Sequence, residues 1–389
     1  MSPRSKKEYI AAIRERYQKA NRQEKATILN ELCNTCGYHR KYAIQLLSPK
    51  IVAKTKGKAV QRRGRRTVYN CDAVLKVLKK IWLLSNLPCS KRFIVILPLW
   101  LAGYQKRYGK IDAETLQKLR SLSPATIDRL LKPVRVKHTK HGRSTTKPGT
   151  LLRKQIPIKT NQWDETRPGF IEADTVAHCG DSLFGMFANT VDIVDIATGW
   201  TEQRAVWGKG EAGVLEQIKD IENTLPFSIL GFDSDNGGEF LNYHLYRYLL
   251  HRRYPIQFTR SRAYHKDDNA HIEQKNWTHV RQWIGYQRLD HADVVPLLNE
   301  LYRSEWRLFH NFFCPSVKLI LKERVGSKTI KRYDKPKTPY QRIMESTHIE
   351  QPNKDALTKQ LENLNPLLLR EQIELKLKKV FDFMHKVAG

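Results

Sequence analysis

Three stretches of this 389-residue chain place acids where chemistry could use them. Phe170-Ile-Glu-Ala-Asp174-Thr-Val reads as a short strand ending in acid. Ser234-Asp235-Asn-Gly-Gly-Glu-Phe sets an acid at a turn just past another strand. Asp268-Asn-Ala-His-Ile-Glu273-Gln-Lys-Asn276 opens a long helix with a Glu in its first turns. Other acids compete. Glu172 shares a strand face with Asp174, Asp233 relates to Asp235 in the same way, and Asp192 and Asp195 sit on or after a second strand. Carboxylates gathered at one place are the ligands a hard divalent cation prefers.

Charge sharpens that reading. The chain carries 69 Lys+Arg against 39 Asp+Glu, a formal net charge of +30. Residues 1–150 hold +27, residues 167–300 hold −6 and residues 301–389 hold +8. A charge of this size calls for a polyanionic partner, nucleic acid or an anionic membrane. The acidic centre then calls for a cation of its own.

The elements that must position the acids follow from periodicity. Strands are predicted at 170–176, 184–196, 200–206, 227–232 and 256–259. Helices are predicted at 211–224, 240–251 and 268–286. The order βββαβαβα gives a mixed sheet with helices on its faces. An acid ending the first strand and one just past the fourth can converge at one edge, with a Glu on the last helix facing both.

These three segments resemble the DDE integrase core of bacterial insertion-sequence transposases and retroviral integrases. The resemblance covers about 165–290, and its most specific piece is Ser-Asp-Asn-Gly-Gly-Glu-Phe. It implies a ribonuclease H-like α/β core with a mixed five-stranded sheet, and Asp174, Asp235 and Glu273 as catalytic and metal-binding triad. It also implies two Mg²⁺ ions, with Mn²⁺ able to substitute. Asn276, three residues beyond the Glu, matches the family as well. Many relatives carry a basic residue seven positions after that Glu. Here Val280 stands there, and Arg281 is the nearest substitute. Lys275, Asn276 and Arg281 are expected to hold DNA near the site.

The flanks complete the organisation, with an all-α N-terminal region and a mainly α C-terminal region around the core. Residues 1–49 read as a helix-turn-helix DNA-binding domain. Its third helix offers Arg40, Lys41 and Gln45 to phosphates and base edges. A basic linker at 50–69 carries Arg62, Arg63, Arg65 and Arg66, suited to a narrow minor groove. A second helical, helix-turn-helix-like domain is expected at 70–134, with helices at 72–84, 90–103, 112–121 and 123–132. A second basic linker spans 135–164, the core 165–290 and a helical and hairpin region 291–389. The stretch 260–268 reads as a polar active-site loop. Cys33-x-x-Cys36 with His39 hints at zinc, but no second ligand pair sits at finger spacing.

The function expected is that of a DNA transposase. It binds terminal inverted repeats, cuts transposon ends and joins them to target DNA as a homodimer or larger assembly on double-stranded DNA. The runners-up are an inactive transposase-derived regulator and a ribonuclease H-type nuclease. No signal peptide or membrane span is read, and six dispersed cysteines fit a reducing compartment, so a cytoplasmic, nucleoid-associated protein is expected.

Overall fold

The structure is a computed structural model that describes residues 2–48, 68–69, 71–135, 165–261, 270–325 and 328–388. The chain divides into two units, Met1–Arg66 and Thr67–Gly389. In the first unit, α1 (Pro3–Lys19), α2 (Arg22–Cys36) and α3 (Arg40–Leu47) pack around Ile10, Ile28, Leu29, Leu32, Ala43 and Leu47. Local signals set their ends. Asn21 and Glu24 form a reciprocal capping box at the start of α2. Gly37 ends it at φ 68°, a left-handed conformation that favours glycine.

The second unit begins with α4 (Asp72–Leu84), α5 (Ser90–Tyr108), α6 (Ala113–Arg120) and α7 (Pro124–Arg135). Ser123 caps α7, its Oγ accepting from Thr126 N at 3.2 Å. The sheet follows, with β1 (Phe170–Ala177), β2 (Ala188–Asp195), β3 (Thr201–Trp207), β4 (Gly231–Ser234) and β5 (Gln257–Arg260). Helices α8 (Glu211–Glu222) and α9 (Tyr243–Leu250) are interleaved with its later strands. Strand order is β3-β2-β1-β4-β5. The first three strands are antiparallel, while β4 and β5 run parallel to β1. This is the mixed five-stranded sheet that the resemblance implied.

After the sheet, α10 (Ala270–Lys275) runs through a π-helical turn (Asn276–Arg281) into α11 (Gln282–Ile284). A second interrupted helix follows: α12 (Val294–Leu301), a π turn (Tyr302–Trp306) and α13 (Arg307–Phe313). A hairpin of β6 (Leu319–Val325) and β7 (Lys328–Tyr333) leads to α14 (Pro339–Glu345), α15 (Gln351–Glu362) and α16 (Pro366–Ala388). No helix among the described residues is long and apolar enough to cross a membrane.

Three elements differ from the sequence reading. The second strand starts at Ala188, not Phe184, because Phe184 is 88% exposed in the preceding loop. The fourth strand is Gly231–Ser234, not 227–232. Leu230 N and Gly231 N both donate to Gly169 O, which fixes where pairing with β1 begins. The helix read at 268–286 carries a π turn that simple 3.6-residue periodicity does not report, and the run from α12 to α13 carries another.

The packing also joins what the sequence reading separated. Helices α4–α7 share one hydrophobic core with α12, α13 and α16. Trp100 of α5 meets Phe309 of α13 edge to face at 6.0 Å. Asn365 Nδ2, just before α16, donates to Gly103 O at 3.3 Å. Segment 70–134 therefore builds the same compact unit as segment 291–389, and Thr126, Ile127 and Leu131 of its last helix are buried.

Candidate active site

Strand β1 alternates between two environments. Ile171 and Ala173 enter an apolar core with α8 and α9. Glu172 and Asp174 turn to the other face, where α10 and its π turn lie. β1 and β4 run side by side, with Glu172 opposite Asp233 and Ala173 opposite Ser234. Asp174, in the middle of β1, and Asp235, just past β4, therefore both lie one residue beyond the last position at which these two parallel strands pair.

Each carboxylate is held by short-range donors. Asp174 Oδ1 accepts from Thr175 N at 2.7 Å and Oδ2 from Asn276 Nδ2 at 2.6 Å. Asp235 Oδ1 accepts from Gly237 N at 2.8 Å. A Cβ on Gly237 would stand 2.8 Å from that oxygen and 2.6 Å from Glu239 Oε2, so the turn is closed to side chains. Burial raises the pKa of Asp174, and repulsion from Asp235 raises it further. Burial raises Asp235 too, and the Glu239 charge adds to it. Two acids in this state favour a bound proton or cation between them.

Glu239 and Lys209 are functional candidates that the sequence reading did not assign. Glu239 is 7% exposed and accepts from Thr175 Oγ1 at 2.7 Å and from Lys209 Nζ at 2.9 Å. Burial pushes its carboxyl up, but Lys209 and Thr175 outweigh that and hold it below the ordinary value. Its signal was present, since it is the Glu of Ser-Asp-Asn-Gly-Gly-Glu-Phe. Lys209 follows β3 in a Gly-Lys-Gly turn at the same sheet edge, and nothing in the sequence ties it to the motif.

Glu273 lies on α10, exposed, one turn before Asn276. Its charge reaches Glu172 as a weak upward push. Among the described residues no three His, Cys, Asp or Glu side chains are grouped closely enough to hold a metal ion. The structure thus couples Asp174 to Asp235 and links the Glu273 helix to them through Asn276. It does not gather all three acids at one point.

The competing acids have other partners. Glu172 accepts from Ile272 N at 3.0 Å, and burial pushes its carboxyl up to about 8. Asp192, opposite Asp174 on β2, accepts from Gln203 Nε2 at 2.7 Å and is pushed up by burial to about 7. Asp195 accepts from Gly169 N and from Thr198 N and Oγ1, which fastens the β2–β3 turn. Asp233 accepts from Thr259 Oγ1. His178, directly after β1, is buried and hydrogen-bonded to Thr190 Oγ1 at 2.8 Å.

The expected DNA contacts divide. Arg40, Lys41 and Gln45 are exposed on α3, with Arg40 also bonded to Asn30. Arg62, Arg63, Arg65 and Arg66 lie outside the described residues, as do 262–269 of the expected loop and most of the 135–164 linker. Lys275, expected on the DNA side, is instead 5% exposed and packed beside His279, with Asp192 the acid acting on it. Asn276 is engaged with Asp174. Arg281 Nη2 donates to Ala177 O at 2.7 Å and its guanidinium covers the Tyr286 ring, so it buttresses the end of β1. In the N-terminal unit Cys36 is buried in the three-helix core, and His39 caps α3.

A mixed five-stranded α/β core, with two mutually repelling acids beside a pair of adjacent parallel strands, is the class these features define. The chain is 36% identical over 345 residues to the uncharacterized protein y4rM of Sinorhizobium fredii, covering 88% of this chain and 96% of that protein. It belongs to the family of that protein. No protein-family profile matches the sequence. Among solved structures it is similar to the catalytic core domain of BIV integrase, with 16% identity and a TM-score of 0.29 over 46% of this chain and 96% of that one. It is also similar to a chain of a simian T-cell lymphotropic virus intasome, with 12% identity and a TM-score of 0.33 over 61% of this chain and 71% of that one.

Proposed function

We propose that the protein is a DNA transposase that cuts transposon ends and joins them to target DNA. The observation that carries this reading is the half-buried Asp174–Asp235 pair, each carboxyl raised by desolvation and the first raised further by the second. Such a pair costs stability unless a cation compensates it, and a site kept at that cost is a functional candidate. The donor set is hard carboxylate oxygen, which suits Mg²⁺ or Mn²⁺. Asn276 Oδ1 adds a buried oxygen with no hydrogen-bond partner among the described residues.

Asp174 and Asp235 would hold the metal, with Glu273 completing the set from α10. Bound Mg²⁺ would polarise a phosphodiester and stabilise the attacking and departing oxygens. The chain's own residues keep the acids in place. Asn276 orients Asp174, Gly237 N–H orients Asp235, and Thr175 links Asp174 to Glu239 and Lys209. Water would attack first at the transposon end, and the freed 3′-hydroxyl would attack target DNA second. The net +27 over residues 1–150, with Arg40, Lys41 and Gln45 exposed on α3, supports binding of terminal repeats. Joining two ends requires at least two protomers.

The test is incubation of the full chain with labelled duplexes from the DNA flanking its gene, a target plasmid and Mg²⁺. Strand-transfer products are expected from the native protein and absent in Asp174→Asn and Asp235→Asn. Products that persist in both variants contradict the proposal. Cutting of unrelated duplexes without end preference favours a ribonuclease H-type nuclease instead.

A further inference from the structure

A second polar cavity lies beside the candidate active site and is separate from it. It occupies about 160 Å³ between the α4–α5 turn and a face of α10 and its π turn. That face carries Gln274, Lys275, Thr278, His279 and Gln282, whereas Asn276 on the neighbouring face reaches Asp174. The volume is roughly ten times the 10–15 Å³ that one water requires.

Its lining is one-sided. Arg92 and Lys275 contribute charged donors, and among the described residues no carboxylate lines the cavity. Lys275 is 5% exposed, and its ammonium makes a long hydrogen bond to His279 Nε2 at 3.4 Å. His310 is 1% exposed, and its Nε2 has no hydrogen-bond partner among the described residues. Arg92 Nε is likewise buried and unpartnered. The two imidazoles stack at 4.1 Å, so both rings are fixed in orientation. Two basic side chains facing one small space leave strong donors short of acceptors. Asp192, on β2, acts on Lys275 but does not line the cavity.

The rim is built at a cost. Asn86 and Leu87 have φ of 65° and 55°, the only non-glycine residues with positive φ among those described. Strain of this kind persists where surrounding contacts enforce it, and it concentrates at ligand sites. Here Trp82 Nε1 donates to Pro88 O at 2.9 Å, Leu87 N donates to Trp82 O at 3.1 Å, and Asn86 Nδ2 donates to Gln282 Oε1 at 3.3 Å. The last bond ties the strained turn to the helix that carries Glu273 and Asn276.

We propose that this cavity binds a tetrahedral oxyanion of the phosphate class. Arg92 and Lys275 supply charge and hydrogen bonds, and the absence of a carboxylate among the described lining residues disfavours a cation as occupant. The oxyanion has two sources, free phosphate or a phosphate of the DNA backbone. The second source rests on the function proposed above; the first does not. A DNA phosphate here would grip the same helix that presents Glu273, so DNA engagement would fix that helix against β1.

The test uses the full chain in two arms. In the first, inorganic phosphate is titrated calorimetrically against the native protein, Arg92→Gln and Lys275→Met, with chloride holding ionic strength constant. Phosphate should bind the native protein and bind Arg92→Gln about tenfold more weakly, the effect of losing one charge-assisted hydrogen bond. Lys275→Met, with its circular dichroism unchanged, should weaken it in the same direction, which keeps the test valid if Arg92→Gln does not fold. In the second arm, end duplexes carry a single methylphosphonate at successive positions. One position that weakens the native protein about tenfold and leaves Arg92→Gln unaffected identifies a backbone phosphate as occupant. Arg92-dependent phosphate binding with no such position identifies free phosphate. Failure of strand transfer would remove the transposase reading and leave the first arm intact. Phosphate binding equal in all three proteins, or absent from the native one, overturns the cavity's assignment.

Discussion

The two faces of strand β1 obey opposite rules. On one face Ile171 and Ala173 join Val191, Phe232, Phe240 and Phe258 in an apolar core against α8 and α9. On the other, Glu172 is buried and Asp174 half-buried, with Asp192 buried nearby on β2. Burial stabilises the first face and destabilises the ionised form of the second. One strand thus supplies both the anchorage and the strained charge. The acids stay aligned because the face behind them is closely packed.

The sharpest way to separate the faces is to remove a charge from the acid side. Asp174→Asn keeps the acceptor for Asn276 and should cut strand transfer by about a thousandfold or more. The folded fraction measured by chemical denaturation should not fall. Loss of activity together with loss of fold would mean that this face is structural.

The reverse experiment strikes the apolar face. Phe232 is fully buried and touches Phe240 and Phe258. Phe232→Ala should cost about 3–5 kcal/mol in urea unfolding. Strand transfer per folded molecule should change little. A large loss of turnover at full folding would show that the two faces are not separable.

Asn276→Ala tests the link between them. It removes the 2.6 Å bond to Asp174 without touching a carboxylate. Activity should fall roughly tenfold to a hundredfold, as for other groups that orient metal-binding side chains. Raising the Mg²⁺ concentration should recover part of it. An unchanged rate would show that Asp174 needs no support from the π turn.

The smallest effect concerns Glu172, whose carboxyl burial pushes up to about 8 from an ordinary value of 4.5. Between those values the folded protein holds a proton that the unfolded chain releases. Stability contributed by this group is therefore lost as pH rises from about 4.5 to about 8. Glu172→Gln keeps an acceptor for Ile272 N and carries no charge. Relative to the native protein it should gain at least about 1 kcal/mol at pH 8 compared with pH 5. A difference that does not vary with pH would show that Glu172 is ionised in the fold.

Much of this arrangement was legible in the residues because it is local. Strand alternation places Glu172 and Asp174 on one face, and βββαβαβα order dictates a mixed sheet. What escaped depends on distant packing. Lys209 reaches Glu239 across 30 residues of chain, and no periodicity records that. Lys275 looks like a surface base by type, yet the π turn and the docked helices bury it. Helices α4–α7 carry their own apolar stripes, which do not reveal that α13 and α16 are the surfaces they cover.

The central claim is that Asp174 and Asp235 touch a divalent metal during DNA joining. Asp174→Cys and Asp235→Cys test it most directly, because a thiolate binds Mg²⁺ poorly and softer Mn²⁺ better. Strand transfer by each variant should be lost in Mg²⁺ and restored in part by Mn²⁺. Equal activity in the two metals, whether high or low, would contradict metal contact at these residues.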